Sequence, residues 1–198
     1  MALGWARIQR AGIRAGRTSG VALALALAAT LAGCSLPGIG SASSSDQQSL
    51  SALPWCAQPQ ISFVDSSSST QQTITSWSQV KDQLGFTPYL PSSLPKGTCL
   101  DLVGGTIHDP IFGGHLSITW VLPGSAGPIS FSEAPKRGDT ATTPQCAQSS
   151  QTSDATTVCI GAVGDSSVTI ASHMTQSQIT AMFKQLRAAP GWEPAPAK

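Results

Sequence analysis

From Cys99 onward the chain alternates apolar and polar positions. In "HLSITWVLP", Leu116, Ile118, Trp120 and Leu122 fall on one side while Ser117, Thr119 and Val121 fall on the other, the period of a half-buried strand. "CLDLVGGTIH", "PISFSEAP", "TTVCIGAVG" and "SSVTIASH" predict further strands between Gly, Pro, Asp and Ser turns, and "QISFVD" predicts an earlier one. Gly164-Asp165 between the last two strands of this series predicts a hairpin. Successive short strands with tight turns predict an antiparallel sheet.

Two stretches carry the helical period instead. Ser76 and Gln79 have the spacing of a capping box, Trp77, Val80 and Leu84 share one face, and Gly85 stands at the C-cap, so a short helix is expected over 77–84. Pro88, Pro91 and Pro95 then forbid helix and favour an extended path. Thr175 and Gln178 repeat the box, Met174 and Ile179 have the spacing of a hydrophobic staple, and Ile179, Met182, Phe183 and Leu186 form an apolar stripe that runs toward Pro190. The expected class is α+β: a single antiparallel sheet of about five strands with a packed C-terminal helix and a short N-terminal helix, over residues 54–189. Residues 190–198, containing "GWEPAPAK", read as a disordered tail.

The first residues follow another pattern. The thirteen-residue run "VALALALAATLAG" is preceded by Arg7, Arg10, Arg14 and Arg17, and no acid occurs before Asp46, the layout of a secretory signal. A membrane-spanning helix takes roughly 20 apolar residues, which argues against an uncleaved anchor. Leu31-Ala32-Gly33-Cys34 resembles the lipobox of bacterial lipoproteins. That resemblance implies a signal peptide over 1–33 and acylation of Cys34 as the first mature residue, with a diacylglyceryl group that anchors without spanning. Residues 34–53, mostly small and polar, read as a flexible Ser/Gly-rich tether.

Losing the first 33 residues reverses the charge. The whole chain is formally +1, but the remainder keeps ten acids against seven bases, a net of −3. Only Lys136-Arg137 forms a basic pair, which reads as a solvated loop, so a nucleic-acid partner is not expected. Cys56, Cys99, Cys146 and Cys159 are an even set in an exported domain and read as two disulfides with three possible connectivities, of which Cys56 with Cys99 and Cys146 with Cys159 is favoured. The second pair would close the polar segment "AQSSQTSDATTV". The competing zinc reading lacks a C-x-x-C pair or a histidine at ligand spacing.

"LGFTPYLPSSLPKG", followed by "LSITWVLPG" and "VTIASHMTQSQITAMFKQLR", resembles a family of uncharacterised extracytoplasmic bacterial domains found in lipoproteins and in the outer parts of anti-sigma-like membrane proteins. Here Cys99 stands near the glycine where that family often has an aromatic residue. The family is similar in turn to the curved sheet with helices of lipoprotein carriers and envelope-stress sensors. The resemblance implies sensing or binding.

Candidate chemistry is sparse. "GDSS" at 164–167 matches the opening of one lipase family, but it lies between predicted strands and no Asp-x-x-His follows, so a turn is the better reading. His108, Asp109 and His115 bracket the loop between two predicted strands and are suitable metal ligands, weighed against ordinary loop composition. Trp77 and Trp120 fall on predicted buried faces, Trp192 in the tail, and Trp55 and Tyr89 are the candidates for an exposed platform, with core and disulfide packing the favoured reading for both. No catalytic residue, metal or cofactor is expected. The expected role is a non-enzymatic binding or sensing module, lipid-anchored on the extracytoplasmic or periplasmic face of the cell membrane, with an envelope protein or lipid as ligand. An acyl-chain carrier and an envelope hydrolase are the alternatives.

Overall fold

The computed structural model describes residues 47–68, 70–124, 127–149 and 155–196. The signal segment, Cys34 and the tether up to Asp46 lie outside the described residues. Among the described residues no helix is long and apolar enough to cross a membrane.

The long alternating segments form strands where expected: β2 (Ile61–Asp65), β6 (Cys99–Asp109), β7 (Gly113–Val121), β8 (Pro128–Pro135), β10 (Thr157–Val163) and β11 (Ser166–Ser172). Six shorter strands join them: β1 (Gln47–Ser49), β3 (Gln72–Ile74), β4 (Tyr89–Pro91), β5 (Ser93–Pro95), β9 (Gln145–Gln148) and β12 (Leu186–Ala188). The main sheet has eight strands in the order β3-β2-β6-β7-β8-β11-β10-β9. β1 with β5, and β12 with β4, make two small ribbons.

This corrects the expected α+β architecture. The domain is mostly β, and its sheet is mixed: β2 runs parallel to β6, while the other neighbours are antiparallel. Parallel neighbours need a long crossover, and residues 66–98 supply it. The strands of three or four residues are too short to show a period, so the sequence pattern undercounts the sheet.

Both helices are shorter than their apolar stripes. α1 spans Trp77–Val80 and continues as a 3-10 turn over Lys81–Gln83. Ser76 makes no side-chain cap, its hydroxyl lying 2.9 Å from that of Ser78 instead. α2 (Gln176–Phe183) begins with the reciprocal Thr175–Gln178 capping box and ends before Leu186. Leu186 remains buried, but its backbone belongs to β12, whose residues pair with Tyr89, Leu90 and Pro91 of β4. A continued helix would have left β4 without that partner, and strand backbone groups in the interior require one.

One face of the sheet is dry. Phe63, Val103, Ile118, Trp120, Phe131 and Ile170 are fully buried on it, while Ser117, Thr119, Ser132 and Thr169 occupy alternate positions. The covering layer comes from separate segments: Leu50 and Leu53, then Trp77, Val80 and Leu84, then Leu90 and Leu94, then Ile179, Met182 and Phe183. It approaches closely at Gly114, where a Cβ would lie 1.8 Å from the carbonyl oxygen of Leu84, so only glycine lets that turn rest on β7.

The ends of the domain also differ from expectation. Leu50 and Leu53, placed in the tether by composition, are core residues. The expected disordered tail is packed: Trp192 is buried edge-on against Trp77 at 5.1 Å, and its indole N–H points to the Leu50 carbonyl at 3.5 Å. Lys81 meets Glu193 at 2.8 Å, and the Trp55 indole N–H donates to the Ala195 carbonyl at 2.7 Å. Tail residues reach the core because Trp192 has apolar area to bury, which outweighs the turn-forming residues around it.

Two disulfides are present, Cys56–Cys99 and Cys146–Cys159. The first ties the entry to β2 onto the start of β6 across 43 residues. The second links directly opposed positions of β9 and β10 across 13 residues. Chain-entropy arguments give about 4 kcal/mol for the longer loop and about 3 kcal/mol for the shorter. Urea titration of the Cys56→Ala/Cys99→Ala and Cys146→Ala/Cys159→Ala pairs is expected to show losses in that order. Equal or reversed losses would refute the ranking.

Candidate ligand-binding groove

The end of β7, the β8 start and the β11–α2 junction meet in an open trough. One hollow of about 290 Å³ is lined by residues that include Leu122, Pro123, Ile129, His173 and Met174. A second of about 230 Å³ adds Gln47, Leu94, Ala181, Met182 and Gln185. Pro95, Leu122, Met174 and Gln178 line both, so the two form one groove.

Local chemistry fixes its walls. The Met174 N–H donates to the Ser172 hydroxyl at 3.0 Å, holding the turn between β11 and α2. Gln178 is held by the capping box, its side-chain oxygen accepting the Thr175 N–H at 2.9 Å and its own N–H donating to Thr175 Oγ1 at 3.4 Å. At Gly127 a Cβ would lie 2.7 Å from the His173 ring, so glycine gives the imidazole its place. The floor is apolar with an adaptable thioether at its centre, and the rim carries His173, Gln47, Gln178 and Gln185. Each hollow is near the small end of ligand sites, about 300 Å³, and suits a short apolar group with a polar end. A further hollow of about 170 Å³ lies beside Trp55, against Ala195 and Pro196.

A second feature lies on the dry face of the sheet. Glu133 is 1 % exposed on β8, paired across to Leu116 on β7 and Val168 on β11. Its carboxylate accepts the Tyr89 backbone N–H at 2.9 and 3.1 Å and a hydrogen bond from the Ser166 hydroxyl. Burial outweighs these bonds and pushes its pKa up to about 7. Tyr89 belongs to the β4–β12 ribbon, so this carboxylate fastens the covering layer to the sheet. The Tyr89 ring crosses Gly164 of the β10–β11 turn, where a Cβ would lie 2.1 Å from its hydroxyl.

The proposed metal ligands are not brought together. His108 Nδ1 lies 3.1 Å from Asp65 Oδ1. Asp109 Oδ1 accepts the N–H groups of Ile111 and Phe112. His115 Nε2 is 2.7 Å from the Ser132 hydroxyl, and burial lowers its pKa. Among the described residues no group of three His, Cys, Asp or Glu is placed to hold a metal ion. "GDSS" forms the hairpin turn that its composition predicts, with Val163 paired to Ser166. Ser166 is buried beneath that turn. Trp77 and Trp120 are buried, and each keeps an indole N–H without an acceptor among the described residues. Trp55 and Tyr89 are half-buried, each held by a hydrogen bond.

The sequence reading missed Glu133, although a signal for it exists. It falls in phase with Ile129 and Phe131 in "PISFSEAP", an acid at a core position of its strand. The groove had no such signal, because its walls come from five separate segments.

The fold is that of a mostly β, disulfide-bonded domain with an open groove beside α2. Compared with known protein families, curated proteins and solved structures, the chain matches none.

Glu133 makes stability depend on pH in a definite direction. Its folded pKa of about 7 lies above the ordinary 4.5, so the unfolded chain ionises first and stability falls as pH rises from about 4.5 to about 7. The full loss is roughly 3 kcal/mol. His115, with a lowered pKa, works the other way as pH falls below 6.5. Subtracting the Glu133→Gln stability curve from that of the wild type isolates the carboxylate, and the difference is expected to slope across pH 5–7. A flat difference would exclude an elevated pKa.

Proposed function

We propose that this chain is a lipid-anchored, extracytoplasmic binding module, acting without catalysis at the cell envelope through the groove beside α2. The observation that carries this reading is the groove itself, an open apolar trough with a rim of polar side chains. Gln47, on β1, stands on that rim. β1 is held in place by the pairing of Gln47 with Pro95, and the Gln48 side chain donates to the Thr98 carbonyl at 2.6 Å. The lipobox, the basic and apolar signal, the two disulfides and the resemblance to extracytoplasmic domains support the same compartment.

The carrier alternative has less support. Its acyl chain would lie between sheet and helix, and Trp120, Phe131, Ile170, Ile179 and Phe183 fill that space. The hydrolase alternative would need an accessible acid or nucleophile, whereas Glu133 and Ser166 are both 1 % exposed.

The anchor is tested by Cys34→Ala. The wild type is expected in the membrane fraction with the mass of a diacylglyceryl group on its first residue, and the variant is expected to lose both processing and added mass. A variant processed and membrane-bound like the wild type would end the lipoprotein reading.

The groove is tested separately. The chain has three methionines, two of them, Met174 and Met182, in the groove wall. With ¹³C-methyl methionine labelling, octyl glucoside below its micelle concentration is expected to shift both signals saturably. In Leu122→Trp the response should disappear. Signals that stay put, or drift without saturation, would remove the groove from consideration.

A further inference from the structure

Trp55 stands on a shelf of its own. Among the described residues, the hollow beside it shares no lining residue with either part of the groove. The backbone of the shelf is fixed onto β6: the Leu100 N–H donates to the Pro54 carbonyl at 2.8 Å, the Cys56 N–H donates to the Leu100 carbonyl at 2.7 Å, and the Cys56–Cys99 bridge locks the next residue in place. Pro54, Gln58 and Pro59 line the hollow around the indole. A preset surface of this kind loses little freedom when a ligand settles on it.

What meets the indole is a proline-rich stretch of the same chain. The Trp55 N–H donates to the Ala195 carbonyl at 2.7 Å, the only hydrogen bond that residues 194–196 make among the described residues. Pro194 and Pro196 have a fixed φ and no N–H, and they hold the residues before them, Glu193 and Ala195, to extended conformations. A segment so constrained is set for the polyproline II path, whose carbonyls are free to accept. Pro194 is buried, Ala195 half-buried and Pro196 exposed, so the segment seats one proline in the domain and loosens along the shelf. The hollow of about 170 Å³ lies between the shelf and Ala195 and Pro196, so the shelf has room that the segment does not fill.

We propose that the Trp55 shelf is a recognition site for extended proline-rich segments, held in the free protein by the chain's own residues 194–196 and yielded to a Pro-x-Pro segment of another protein. The choice of occupant rests on what is seated there. Proline-rich ligands dock on aromatic-lined grooves in their preformed extended path, and the shelf already holds a segment of that chemistry, with a carbonyl accepting the indole N–H between two prolines. An acyl chain has no acceptor for the indole N–H and would leave it desolvated and unpaired. Exchange is physically reasonable. The chain's own segment competes with the advantage of being tethered, but a longer segment that also fills the hollow gains apolar burial that residues 194–196 forgo. Trp192, packed on Trp77, and Glu193, paired with Lys81, hold the root of the segment, so release is confined to the residues beyond them.

The full-length chain tests this with a synthetic peptide, acetyl-EPAPAK-amide, that copies residues 193–198. Anisotropy of a fluorescent form of the peptide reads affinity, and the Trp55 indole ¹⁵N–¹H signal reads location. In Pro194→Gly/Pro196→Gly, whose own segment loses its preset path, the peptide is expected to bind saturably and to move the Trp55 signal. Wild type should bind it about tenfold more weakly, because the tethered segment competes. Adding Trp55→Phe to the glycine variant removes the donor and should weaken binding about fivefold. Since that change could disturb the domain, the peptide acetyl-EAAAAK-amide, without prolines, gives an independent reading and is expected not to bind. No saturable binding to the glycine variant, equal binding of the alanine peptide, equal affinity in wild type, indifference to Trp55→Phe, or saturation that leaves the Trp55 signal in place would each overturn the proposal. So would a wild-type Trp55 signal that moves on dilution alone, which would make the segment of a second copy the occupant.

Discussion

One face of an eight-stranded sheet must be kept from water, and every other part of the domain is arranged to do so. Among the described residues no single long helix is available for the task. The cover is pieced together from residues 47–53, the α1 turn, the two small ribbons, α2 and the C-terminal Trp192. Segments this short bury little each, so they depend on specific attachments. Glu133 supplies one by accepting the Tyr89 N–H, the close approach at Gly114 supplies another, and the Cys56–Cys99 bridge holds the crossover at its origin. A charged side chain inside the core is an unusual fastening, since desolvation works against it whenever it is ionised.

The same patchwork produces the groove. A continuous helical layer would close over the ends of β7 and β8, but α2 is only eight residues long and the β5 ribbon stops at Pro95. The gap between them is lined by Leu122, Met174 and Gln178. β6 and β7 then connect this end to the opposite pole, where the Asp109-braced turn between them sets Phe112 beside Arg137. The described β domain thus has two unlike ends joined by its longest strands.

The six long strands were legible because each runs seven or more residues, or lies between clear turn signals, with its alternation intact. The Thr175–Gln178 box was legible for a similar reason: it is satisfied by local hydrogen bonds alone. The matching box at Ser76 has the same spacing and does not form, because Trp77, Val80 and Leu84 are buried in a single turn plus a 3-10 continuation. Leu186 shows the limit of periodicity most plainly. Its apolar phase correctly marks it as buried, yet the backbone that buries it is a strand answering β4 rather than the helix that the phase suggests.

By itself the sequence determined the strand-forming segments, the hairpin at Gly164-Asp165, the start of α2 and the four cysteines available for pairing, all of them features whose cause lies within a few residues. The core position of Glu133 was not read from it, although its phase with Ile129 and Phe131 carries the signal. Only the tertiary structure decided the parallel union of β2 with β6, the capture of Trp192, the walls of the groove and the placement of Arg137 against Phe112. These join residues tens of positions apart, and which of the many possible long-range pairings forms is settled by how all the apolar surface can be covered at once.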